Sequence, residues 1–88
     1  MKLYHLSQSE NTGYDTYSDM VVCAKSCVEA RKIHPYWQNT KSDGERKECW
    51  NDRWSGWAKS PDKVVVKYLG EAHESIEEGV ICSSFHAG

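Results

Sequence analysis

Apolar and polar positions change period several times along the chain, and each change predicts a change of element. From Lys2 to Gln8, Leu3 and His5 alternate with Tyr4 and Leu6, the two-residue period of an opening strand. Ser9-Glu10-Asn11-Thr12-Gly13 supplies turn residues. Tyr14 to Ala24 then returns β-branched and aromatic types at Tyr14, Thr16, Tyr17, Val21 and Val22, which suit a pleated, half-buried surface, so a β-hairpin is expected. At Ser26 the period becomes helical. Ser26 and Glu29 form a capping box, in which the serine oxygen accepts from the residue-29 amide and the glutamate reaches back. Cys27, Ala30, Ile33 and His34 make an inward stripe, and Arg31 and Lys32 complement the helix dipole near its end. Pro35 disfavours helical geometry at His34, which limits this helix to about two and a half turns.

Tyr36 to Ser60 is long for a connection in a small domain, polar at first and then dense in tryptophan. If Glu48 to Ala58 is helical, Trp50, Trp54 and Trp57 share one face, although Gly56 weakens the helix. Ser60-Pro61-Asp62 is turn chemistry. Val64, Val66 and Tyr68 then alternate with Val65, Lys67 and Leu69 in a strand closed by Gly70. Glu71 to Glu78 reads as an acidic connector, and Gly79 opens a last strand, Val80 to Phe85. The expected fold is α+β, one domain over residues 1–88. It is a four-stranded, mainly antiparallel sheet in β-β-α-loop-β-β order, with one helix on a face and the tryptophan segment as a loop or short helix filling the remainder.

Composition narrows the function classes. A net charge of −2, with 11 Lys and Arg scattered among 13 Asp and Glu, provides no basic patch for a run of phosphates, which argues against duplex nucleic acid as a partner. The first residues lack the apolar core of an export signal, and no apolar stretch approaches the roughly 18 residues of a membrane span. A cytoplasmic protein is expected, and with it reduced thiols at Cys23, Cys27, Cys49 and Cys82. Cys23 and Cys82 lie in predicted strands and read as small buried hydrophobes.

The stretches Gly13-Tyr14-Asp15-Thr16-Tyr17, Val21-Val22-Cys23-Ala24, Glu29-Ala30-Arg31-Lys32-Ile33-His34-Pro35 and the tail Gly79 to Gly88 resemble small uncharacterised proteins encoded by bacteriophages and prophages. The resemblance implies a phage accessory protein that acts in the host bacterial cell by binding, and blocking, a host protein. Inhibitors of bacterial defence such as anti-CRISPR proteins are one such group.

Candidate chemistry is sparse. Cys49 with His73 or His34 is the one nucleophile–base pair worth sketching, and no protease or nucleophile-elbow motif surrounds it. The glycines are isolated, so no phosphate-cradling loop is present. No catalysis and no cofactor are expected. A structural zinc site, the alternative reading, would draw on Cys23, Cys27 and His34 with Cys49 or His86, although no second closely spaced pair completes a finger or ribbon. The tryptophans read either as core filler or as partner-binding anchors, because Trp50, Arg53, Trp54 and Trp57 are the residue types of binding hot spots placed in a loop. Base stacking on those rings is countered by the acidic residues beside them. Glu74, Glu77 and Glu78, with Glu71, form a solvated face or a docking patch for a basic partner protein. Two sheet edges leave room for a homodimer.

Overall fold

Alternation in the first strand organises the sheet. The computed structural model describes residues 1–10, 16–39, 49–50 and 56–86, with backbone alone at 38, 39, 85 and 86. In it, β1 (Lys2–Ser7), β2 (Thr16–Ala24), β3 (Val65–Glu71) and β4 (Gly79–His86) form one sheet in the spatial order β3-β1-β2-β4, every neighbouring pair antiparallel. The four-stranded antiparallel sheet and its α+β class agree with the alternation read from the chain. β1 and β2 are central, and β3 and β4 are the edges.

Reading across the strands, two rows that span all four strands face inward. Val66, Leu6, Met20 and Ser83 form one, and Tyr68, Tyr4, Val22 and Val80 the other. Leu6 and Val22 are completely buried, and Tyr4 meets Tyr68 edge to face at 5.8 Å, so cross-strand apolar pairs hold the register. The alternate residues make three outer rows: Val65, Ser7, Asp19 and Ser84; Lys67, His5, Val21 and Cys82; and Gly70, Leu3, Cys23 and Gly79.

The inner face is covered by helical turns and by Trp50, Trp57 and Ala58. α1 (Cys27–Arg31) starts where the capping signal places it, since Ser26 Oγ accepts from the Glu29 amide at 3.3 Å. It is shorter than the sequence suggests. Lys32 N–H and Ile33 N–H bond to carbonyls three residues back, tightening the last turn, and Pro35 opens a separate 3-10 turn, Pro35–Asn39. The expected inward stripe is corrected at its first member. Ala30, Ile33 and His34 are buried, whereas Cys27 is exposed, because only the last turn of so short a helix faces the sheet. Arg31 does more than complement the dipole. Its Nη1 donates to Val64 O at 3.0 Å and reaches Pro61 O at 3.5 Å, tying α1 to the entrance of β3 beside a second 3-10 turn, Pro61–Lys63.

A single helix from Glu48 through Ala58 does not form. Cys49 and Trp50 are helical, but Gly56–Ala58 is not. There the backbone bonds elsewhere: Tyr17 N–H donates to Gly56 O at 2.7 Å, and Gly56 N–H donates to Tyr36 Oη at 2.9 Å. Trp57, Ala58 and Val64 thereby join Tyr4, Leu6, Met20, Val22, Ala30 and Ile33 in one core.

Candidate functional site

The predicted contact residues of the tryptophan segment fall into three groups. Trp57 is core, only 1% exposed, and its buried Nε1 has no hydrogen-bond partner among the described residues. Trp50 is half-buried, donates Nε1–H to Lys32 O at 2.8 Å and meets His34 edge to face at 4.9 Å. Arg53 and Trp54 lie outside the described residues. Trp50 and Trp57 thus do not present one surface, and Trp57 offers none to a partner.

His34 is a core histidine. It is fully buried, its Nδ1 accepts from Tyr36 N–H at 3.1 Å, and the Tyr36 ring packs on it at 4.8 Å. The zinc set does not converge: Cys27 is exposed, Cys23 is buried on the opposite face of the sheet from His34, and the His86 side chain lies outside the described atoms. Among the described residues no group of three or more His, Cys, Asp or Glu could hold a metal ion. The sketched thiol–base pair with His73 also separates. Cys49 is buried beside Trp50 in the inner layer, whereas His73 is exposed on the connector, where its Nδ1 accepts from Ser75 N–H at 3.1 Å.

The connector between β3 and β4 has the geometry that matters most. Its ends are at opposite edges of the sheet, so the chain must cross a face, and the inner face is occupied. It crosses the outer one. Ala72 N–H donates to Met1 O at 3.0 Å, and Cys23 Sγ lies 3.9 Å from Ile76 O. Cys23 is therefore completely buried although it points away from the core. The strap leaves β3 after Gly70 (φ +154°) and enters β4 at Gly79 (φ +140°), backbone that side-chain-bearing residues rarely adopt. A Cβ at either glycine would meet nothing within 4 Å, so the requirement is conformational.

The strap carries the acidic residues outward. Glu71, Glu74, Glu77 and Glu78 are all exposed, and the last three have neither ion pair nor hydrogen bond among the described residues. Glu71 accepts from Tyr68 Oη at 3.1 Å, and this bond to a carboxylate raises the Tyr68 phenol above its ordinary pKa. Asp62, in the turn before β3, is held below the usual carboxylate range, chiefly by a hydrogen bond from the Ser60 side chain.

Beyond the strap the outer face is open. A concavity of about 260 Å³ is lined by His5, Asp19, Val21, Cys82 and Ser84, among others. His5 Nε2 lies 3.1 Å from Asp19 Oδ2, and the two side chains are 34% and 43% exposed. Sequence reading missed this pair, because His5 and Asp19 are 14 residues apart and meet only through strand register. Cys82, expected to be buried in its strand, is exposed here, since β4 is an edge strand whose outer side none of the described residues covers at this row. His5 and Cys82 stand two strands apart with Val21 between them, roughly 10 Å at the usual strand spacing, so they form no thiol–imidazole hydrogen bond. No helix among the described residues is long and apolar enough to cross a membrane. No family model matches the chain, and neither a curated protein nor a solved structure matches it significantly.

Proposed function

We propose that this chain is a non-enzymatic accessory protein of phage type that binds a basic host protein in the bacterial cytoplasm through its acidic strap. The observation that carries the reading is the strap itself. Glu74, Glu77 and Glu78 are exposed and form no ion pair among the described residues, on a segment held across a sheet by the contact between Cys23 and Ile76. Like charges gathered without compensation cost stability through mutual repulsion, and they speed encounter with a partner of opposite sign. In this reading the tryptophan-rich loop between the helical layer and β3, with Trp50, Arg53 and Trp54, adds a second contact. Trp57 supports it from the core. Blocking a component of a bacterial defence system is the most concrete form of the activity.

The test is affinity capture from a bacterial lysate at low and high salt, with the native chain beside Glu74→Gln/Glu77→Gln/Glu78→Gln and Trp50→Ala/Trp54→Ala variants of confirmed fold. A partner retained at low salt should be lost at high salt and weakened at least tenfold by the triple variant. Retention indifferent to both would sink the acidic-docking reading.

A further inference from the structure

The outer-face concavity has a chemistry that the strap alone does not supply. Asp19 lines it in the register position opposite Ser84, and among the described residues only its Oδ2 is engaged, by His5. In the tautomer that carries Nε2–H, His5 donates to Oδ2, which orients the carboxylate and leaves Oδ1 as an acceptor with no partner among the described residues. Ser84 supplies a hydroxyl acceptor on the neighbouring strand, and Val21 and the Cys82 thiol form an apolar wall along the next row. Lys67, the nearest base along that row, lies beyond His5 on the far side, and the concavity is not lined by it.

We infer that this concavity is a receptor for one arginine side chain of a basic protein partner. Asp19 Oδ1 and Ser84 Oγ receive the guanidinium fork, and Val21 and Cys82 pack its aliphatic stem. An arginine suits the site better than an ammonium, because a planar fork engages a carboxylate and a hydroxyl together and is less strongly hydrated. The volume of about 260 Å³ holds such a side chain with room for water. The inference rests on the reading that the acidic side of the molecule meets a basic partner. It adds where on that side an individual residue is held.

The experiment is an NMR titration of the isotopically labelled full chain, at low salt, with an acetylated peptide of alternating glycine and arginine and with its lysine counterpart. The expected result is that the arginine peptide shifts amides of 19–22 and 82–84 as well as the strap. Asp19→Asn should weaken this binding about tenfold, the scale of one charged hydrogen bond, while the spectrum stays native-like. Ser84→Arg, which carries a guanidinium to the position opposite Asp19, should abolish the shifts at 82–84 and leave those on the strap. Shifts confined to 71–79 and unchanged in Asp19→Asn overturn the concavity and leave the strap reading standing. No shift anywhere with either peptide overturns both, and equal responses to lysine and arginine overturn the guanidinium assignment.

Discussion

At the scale of single residues, hydrogen bonds between near neighbours shift the ionisation of Tyr68 and Asp62. Tyr68 lies on edge strand β3, and its hydroxyl donates to Glu71 Oε1 while Lys2 Nζ stands 5.9 Å from its ring. The bond exists only with the neutral phenol, so the folded-state pKa is raised. The stabilisation is therefore fully present below the unfolded value of about 10 and is lost as pH rises through the folded value. Glu71→Gln should return the Tyr68 ionisation toward its ordinary range, read from the ultraviolet phenolate band during an alkaline titration. An unchanged midpoint would mean that the hydrogen bond has no weight in solution. Trp57 shows the opposite arrangement. Its indole fills the core that a chain with one phenylalanine must build from other residues, and its N–H is left without a partner among the described residues. Packing outweighs one unsatisfied donor here, because burying a large ring contributes more than the ~1–3 kcal/mol that such a donor costs.

At the scale of elements, the strap depends on its two ends. Gly70 and Gly79 occupy one outer row with Leu3 and Cys23, and both have positive φ where the chain leaves and rejoins the sheet. Gly79→Ala introduces no clash, since nothing lies within 4 Å of the new Cβ. The substitution should nonetheless cost about 1–3 kcal/mol, the strain of an L side chain in that backbone region. A urea titration should show a lower midpoint with an unchanged slope. A midpoint equal to that of the native chain would mean that the strap relaxes to a different path. α1 depends on its ends in the same way. Ser26 caps its start and Arg31 ties its last turn to Val64 O, so a helix too short to persist alone is held by one local and one distant bond.

At the scale of the whole molecule, the sheet divides the thiols by access. Cys23 is shut beneath the strap and Cys49 beside Trp50, whereas Cys27 on α1 and Cys82 on the outer face are open to solvent. A thiol reagent applied to the native protein should modify Cys27 and Cys82 fast and Cys23 and Cys49 slowly, with all four reacting fast in denaturant. Peptide mapping after a short pulse identifies them. Fast labelling of Cys23 would show that the strap opens readily. The same division separates the faces: the inner side is occupied by packing, and the outer side holds the acidic strap, the His5–Asp19 pair and the concavity.

Much of this is legible in the sequence. Alternation at Tyr4 and Leu6 and at Val64 to Leu69, the β-branched run before Cys23 and the Ser26–Glu29 spacing each report a local period or cap, which a few neighbouring residues determine. The inward faces of β1 and β2 follow from the same period. What the chain does not spell out is which strand lies beside which, because pairing depends on contacts between residues far apart in sequence. The order β3-β1-β2-β4 places the connector's two ends at opposite edges, and a filled inner face leaves only the outer one for its path. That single consequence buries Cys23, leaves Cys82 exposed and sets the acidic residues on the same side as a His5–Asp19 pair that register alone brings together. Local pattern determined the strands and the start of α1, and tertiary pairing decided which of their faces stayed covered, as at Cys23 and Cys82, and which exposed groups became neighbours.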